Sequence, residues 1–139
     1  MMNLNKAIDM AASAHIDQYR WDGSPYILHP IRVMLKMDND EDMIVAVLHD
    51  VIEDTNITVL DLMEQELDEV LINAVVALTK DESESYEDYL IRVKNNLIAR
   101  KVKVEDIKDN LDVTVLHTVS EKHRLRMNKY LNAILFLSP

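Results

Sequence analysis

Four titratable side chains, His49, Asp50, Glu53 and Asp54, fall within six residues of the run Ala46-Val47-Leu48-His49-Asp50-Val51-Ile52-Glu53-Asp54-Thr55. A helix turns about 100° per residue, so residues three and four apart share a face. On one continuous helix His49 lies over Glu53, and Asp50 lies over Glu53 and Asp54. Ala46, Val47, Val51 and Ile52 are interleaved with them, which implies burial along much of the helix. Burying one imidazole and three carboxylates is costly unless a cation sits among them. A divalent metal ion meets that requirement. His29 stands just before Pro30 at a predicted helix start, and the later cluster Glu105, Asp106, Asp109 and Asp112 offers a further carboxylate. Two imidazoles and two carboxylates form a mixed nitrogen and oxygen set, suited to Mn, Fe, Zn or Co rather than Ca. The competing reading of the spacing is a set of scattered surface carboxylates.

The rest of the chain must position these residues. At 139 residues, 48% of them apolar, it is long enough for one domain, residues 1–139, with a substantial core. One glycine and three prolines leave few helix breakers, so the expected class is all-α, a compact bundle. Cysteine is absent, which excludes disulfides and thiolate ligands and fits a reducing cytoplasm. No signal peptide is evident at the N-terminus, and no apolar run approaches the roughly 20 residues that span a bilayer. A net charge of −10 argues against nucleic acid as a partner. It also means that any phosphorylated ligand requires local cations. The composition is compatible with a homo-oligomer.

The pattern predicts a helix over 3–19, with Leu4, Ala7, Ile8, Ala11, Ala14 and His15 as its stripe. His15 reads as a hydrogen-bonded core histidine. Turn chemistry follows at 20–26, with Gly23 free to take a positive φ. A helix then opens at Pro30. Asp38-Asn39-Asp40 breaks and caps, starting a long helix over about 41–54, and the acidic run 38–42 reads as a solvated cap. Thr58 reads as an N-cap for a short helix through Leu67, with Asp61 in its first turn. Further helices are expected over 68–80, 86–100, 102–116 and 121–137. The helix over 86–100 should face Tyr89, Leu90, Val93, Leu97 and Ile98 inward and end on Arg100. The last should face Leu125, Tyr130, Leu131, Ile134 and Leu135 inward. Tyr86, Tyr89 and the methionines read as packing, and His117 and His123 as surface or supporting residues.

The motif His…His-Asp…Asp, formed by His29, by His49-Asp50 and by an aspartate near 106, resembles the signature of the HD superfamily of metal-dependent phosphohydrolases. More narrowly, the sequence resembles the hydrolase domain of the RelA/SpoT alarmone enzymes and the small stand-alone alarmone hydrolases. The segments that carry the resemblance are Ala14-His15-x-x-Gln18-x-Arg20-x-Asp22-Gly23-x-Pro25-Tyr26-Ile27-x-His29-Pro30 and Leu48-His49-Asp50-Val51-Ile52-Glu53-Asp54-Thr55. They are followed by Thr79-Lys80, Tyr86-x-x-Tyr89 and Val102-Lys103-Val104-x-Asp106-x-x-x-Asn110.

The resemblance implies an HD-type helical fold that binds one Mn²⁺ through His29, His49, Asp50 and Asp106. It assigns Glu53 and Asp54 to the attacking water, Arg20 to the substrate phosphates and Asn110 to the nucleotide pocket. The implied reaction removes pyrophosphate from the 3′ position of guanosine tetra- or pentaphosphate (ppGpp, pppGpp). Several positions depart from the pattern. Trp21 stands where a basic residue is usual, Asp17 where Gly is, Glu105 where a small residue is, and Asp109 where His is frequent. Asp109 leaves the fourth ligand open, and the register of Lys103 and Asn110 favours Asp106. The altered loop also keeps two other readings in play. One is an HD phosphohydrolase acting on another nucleotide or a phosphorylated dinucleotide cofactor. The other is a catalytically silent nucleotide-binding module.

Overall fold

The computed structural model describes residues 1–139, and nine helices account for its regular structure. They are α1 (Leu4–Ala14), α2 (Leu28–Met34), α3 (Asp40–Leu48), α4 (Val51–Asp54), α5 (Val59–Glu64), α6 (Glu69–Ala77), α7 (Tyr86–Lys94), α8 (Leu97–Asn110) and α9 (Glu121–Leu137). There is no strand; Tyr19 and Pro25 form one isolated bridge across the loop between α1 and α2. No helix is long and apolar enough to cross a membrane.

The bundle is built around α3. Val45, Ala46, Val47 and Leu48 are fully buried, as expected of a helix apolar on nearly every side. It packs against α1, α2, α6 and α8, and the buried apolar residues form one continuous cluster. Side-chain caps set most helix starts: Asn3, Asn39, Thr58, Asp68, Ser85, Asn96 and Ser120 each accept from a backbone N–H two or three residues on. Thr58 and Asp61 form the reciprocal capping box that the sequence suggests at α5. Only α2 and α4 lack a side-chain cap, and both begin at the candidate site.

Several expectations need correction. The helix expected over 41–54 breaks at His49-Asp50, so His49 does not stack over Glu53 on one continuous helix. The first helix ends at Ala14, with His15 as its C-cap. The helices expected over 86–100 and 102–116 divide instead at Asn95-Asn96, where the Asn96 side chain accepts from Ala99 N–H at 3.0 Å. Leu97 is consequently exposed, and Arg92 and Lys94, not Arg100, occupy the last turn of α7. The acidic run is not wholly solvated. Asp42 is buried and accepts from Lys101 Nζ at 2.6 Å.

Helix α9 has the expected bounds but a rotated face. Tyr130, Ala133, Ile134 and Leu137 meet the core, whereas Leu125, Leu131 and Leu135 are exposed. The core-facing set keeps helical spacing, so the chain offered two apolar stripes and packing against α7 and α8 selected one.

In the site loop Gly23 takes φ +84, as its turn requires. Asp17 takes φ +62 and is exposed. This left-handed region is strained for most L-residues and open to glycine. Asp17→Gly should therefore raise stability by up to about 1 kcal/mol, read as a higher urea midpoint with an unchanged slope. A lower midpoint would mean that the aspartate makes an offsetting contribution.

Candidate metal and acid cluster

The break after Leu48 shapes the site. The His49 ring Nδ1 lies 2.6 Å from the Ala46 carbonyl oxygen. A carbonyl only accepts, so Nδ1 carries a proton and Nε2 is the nitrogen available to a cation. This side-chain bond draws on the same carbonyl that the His49 backbone N–H reaches at 3.3 Å, and the helical ladder ends there. Asp50 follows with ψ −1, and the chain resumes as the short α4. Two consecutive residues can then turn toward one point, which a continuous helix would splay apart.

That point lies between α2, the α3–α4 corner and α8. His49 Nε2 lies 3.0 Å from Asp50 Oδ2 and 3.4 Å from Asp106 Oδ1. His29 Nε2 lies 2.8 Å from Asp106 Oδ1 and 3.9 Å from Asp50 Oδ2. His29, His49 and Asp106 are almost wholly buried. His49 Nε2 makes no aligned hydrogen bond in spite of its neighbours and is an orphaned buried polar atom. Such an atom carries a cost that a bound cation removes. Zinc-like dications bind at about 2.0–2.2 Å, which separates adjacent donor atoms by about 3 Å. His29, His49 and Asp50 hold donor atoms within 4.8 Å of one another, with Asp106 Oδ1 beside both imidazoles, and this mixed donor set is the one expected for Mn, Fe, Zn or Co.

Electrostatics favours charged ligands. Burial opposes ionisation of Asp106, but Lys103 and His49 outweigh it and hold its carboxyl well below the usual range. Lys103 Nζ donates to Asp106 Oδ2 at 2.8 Å and lies over the Tyr89 ring. Asn110 Nδ2 donates weakly to Asp106 Oδ1 at 3.3 Å. Asp109 lies at the opposite edge of His29, its Oδ2 2.6 Å from Nδ1. Burial works against its charge, but Arg32 and His29 bring its carboxyl down to about 2. Of the two aspartates left open by the sequence, Asp106 faces the donor cluster and Asp109 stands behind an imidazole.

Glu53 and Asp54 line the open side, with carboxylate oxygens within 4.8 Å of Asp50 and of each other. Burial raises the pKa of both, and the neighbouring carboxylates add to it. Glu53 Oε1 accepts from the Lys80 N–H at 2.7 Å, which anchors it to the end of α6 and leaves Oε2 free. The Tyr26 hydroxyl donates to Asp50 and lies 3.4 Å from Asp54 Oδ2. His15 acts through Gln18, whose Oε1 is 2.9 Å from His15 Nδ1 and whose Nε2 donates to the Asp54 carbonyl.

Arg20 and Asn110 come together, but they bond to each other: Arg20 Nη2 donates to Asn110 Oδ1 at 2.8 Å and Nη1 to Asp109 at 3.0 Å. Both line a cleft of about 270 Å³ with Trp21, Lys122, Arg126 and Tyr130. The α9 cations escaped the sequence analysis, which read Tyr130 only as an inward-facing residue, although Lys122, Arg126 and Tyr130 recur every four residues on one face. Tyr26 and Lys103 were also missed as site residues, being quoted there only as parts of motifs. Tyr89 is packing, its hydroxyl donating to the Leu78 carbonyl, and His117 is exposed. His123 borders the cleft and joins the α9 capping box.

No family model matches the chain. It is similar to the bifunctional (p)ppGpp synthase/hydrolase SpoT of Escherichia coli, 32% identical over 128 residues, 88% of this chain and 18% of that protein. It is similar to the guanosine-3′,5′-bis(diphosphate) 3′-pyrophosphohydrolase of Aquifex aeolicus, 29% identical over 137 residues, 91% of this chain and 19% of that one. The protein of that name from Borreliella burgdorferi is 40% identical over 79 residues, 54% of this chain and 12% of its own length. The chain thus spans less than a fifth of these relatives. Among solved structures, a metazoan ortholog of SpoT described as hydrolysing ppGpp matches with a TM-score of 0.79 at 21% identity, covering 96% of this chain and 84% of that one. The chain resembles the RelA/SpoT hydrolases in sequence and has the all-helical HD-type fold.

A divalent cation should stabilise the folded chain by mass action, about 2.7 kcal/mol at a hundredfold excess over its dissociation constant. Melting with and without Mn²⁺ should show a rise in Tm that His49→Ala abolishes. An equal rise in the variant would place the cation elsewhere.

Proposed function

We propose that this chain is a Mn²⁺-dependent (p)ppGpp hydrolase that removes the 3′-pyrophosphate. The observation that carries the reading is the orphaned His49 Nε2 facing His29, Asp50 and Asp106, with the Glu53 and Asp54 carboxylates beside them. His29, His49, Asp50 and Asp106 would hold the ion, which when bound lowers the pKa of water and offsets phosphate charge. Glu53, pinned through Oε1, orients water with Oε2 and accepts its proton. Asp54 lies across the same opening, and Tyr26 fixes the Asp50 carboxylate. Water oxygen joins phosphorus as the bond to the 3′ oxygen breaks, and that oxygen leaves with a proton as the 3′ hydroxyl.

The nucleotide enters the cleft between the Trp21 loop and α9. Lys122 and Arg126 supply the cations that a chain of net charge −10 must gather locally. Trp21 and Tyr130 offer flat apolar surfaces to a base. One observation favours a second reading, another phosphorylated nucleotide or dinucleotide: Arg20 is already occupied by Asp109 and Asn110, and Trp21 supplies no charge. The similarity to ppGpp hydrolases outweighs it.

The test is pyrophosphate release from ppGpp with Mn²⁺, beside a panel of other nucleotides. Rapid release is expected from ppGpp, with kcat reduced about 100-fold or more in Glu53→Gln. Cleavage of another compound but not ppGpp would discard the alarmone substrate. Binding without turnover anywhere in the panel would indicate a silent nucleotide-binding module.

A further inference from the structure

We propose that Asp109 is a positioning residue for the metal centre, acting through His29 by fixing which imidazole nitrogen faces the donor cluster. The proposal rests on the metal-site reading above. Its starting point is a departure from the RelA/SpoT pattern, in which this position is frequently His; here it is a carboxylate directed at the back of a candidate ligand.

Asp109 is tightly constrained. Arg32 Nε donates to its Oδ1 at 2.8 Å, and Arg32 Nη2 donates to its Oδ2 at 3.0 Å. Arg20 Nη1 also donates to Oδ2 at 3.0 Å. With both oxygens engaged by two guanidinium groups, the carboxylate is ionised and only accepts. His29 Nδ1, 2.6 Å from Oδ2, must then carry the proton. Nε2, on the cluster side 2.8 Å from Asp106 Oδ1, is left as the ligating nitrogen. A ring flip would set a carbon against Asp109 Oδ2 and give up the imidazole hydrogen bond, leaving the carboxylate to the two guanidinium groups alone. His29 itself is buried between the two aspartates, so solvent does not substitute for either partner.

The same problem is solved differently at the second imidazole. His49 is held by the Ala46 carbonyl, a neutral backbone acceptor within its own helix. His29 sits in the first turn of α2, without an equivalent carbonyl bond, and takes its acceptor from α8. Asp109 therefore also ties the α2 ligand to the helix that carries Asp106. Outer partners of this kind are worth about 10–100-fold in metal affinity.

The experiment is Mn²⁺ titration of the full chain, reading free ion by electron paramagnetic resonance, which needs no substrate. Asp109→Ala should weaken Mn²⁺ binding by about 10–100-fold, and the isosteric Asp109→Asn, which keeps an acceptor but no charge, by less. His29→Ala serves as the reference for a lost ligand. Melting in EDTA separates positioning from support, because a purely structural role would lower Tm and leave the affinity of the folded protein unchanged. If Asp109→Ala does not fold, Asp109→Asn carries the test. Wild-type affinity, within twofold, in the folded variants while His29→Ala loses the ion would overturn the role of Asp109 and keep the metal site. A wild-type chain that binds no Mn²⁺, or a His29→Ala that binds it equally well, would overturn both.

Discussion

The structure depends on one hydrogen bond, between the His49 imidazole and the Ala46 carbonyl. It sits at the end of the most deeply buried helix, where packing against α1, α2, α6 and α8 leaves the backbone little freedom. The bond fixes a proton on Nδ1, directs Nε2 into the interior and helps end α3 at Leu48, two residues before Asp50. Asp50 then stands at the N-cap position of α4, yet its carboxylate makes no capping bond and faces His49 and Tyr26 instead. Caps open seven of the other helices, so an uncapped start at this place marks a local rule set aside for the site.

The remaining elements follow from the charge gathered there. Two carboxylates, the partly buried Asp50 and the buried Asp106, face one another's partners in a low-dielectric setting, where unpaired charge is expensive. Lys103 answers one side of Asp106, Tyr26 donates to Asp50, and Asp109 with Arg32 and Arg20 secures His29 from behind. Glu53 and Asp54 stay at the opening, where solvent moderates their proximity to Asp50. The acidic character of the whole chain makes the cationic face of α9 stand out. It is the place beside this cluster where Lys122 and Arg126 converge with an aromatic ring.

Much of this arrangement is legible in the sequence. The all-α class follows from composition, Thr58 and Asp61 announce their capping box, and α9 begins and ends at 121 and 137 as its periodicity suggests. The register of Lys103 and Asn110 favours Asp106 over Asp109, and Asp106 lies on the Nε2 side of both imidazoles while Asp109 meets the Nδ1 edge of His29. The break at His49-Asp50 was hard to read, because Val47 to Ile52 contains no glycine or proline, its one capping-type residue, Asp50, makes no capping bond, and the interruption comes from a side chain reaching its own backbone. The division at Asn95-Asn96 was legible in principle, since Asn96 is a good N-cap, but apolar periodicity runs through it. The face of α9 was ambiguous because two apolar stripes compete and only tertiary packing decides between them. Long-range pairs such as Asp42 with Lys101, or Asp109 with Arg32, have no local signature at all.

The central claim is that His29, His49, Asp50 and Asp106 bind one dication together. Anomalous diffraction from crystals grown with Mn²⁺ and collected at the manganese edge tests it most directly. The account predicts a single strong peak within about 2.0–2.3 Å of both Nε2 atoms and of one oxygen from each aspartate. A peak bound only by Asp50, Glu53 and Asp54, or no peak among the two histidines at saturating metal, would contradict it.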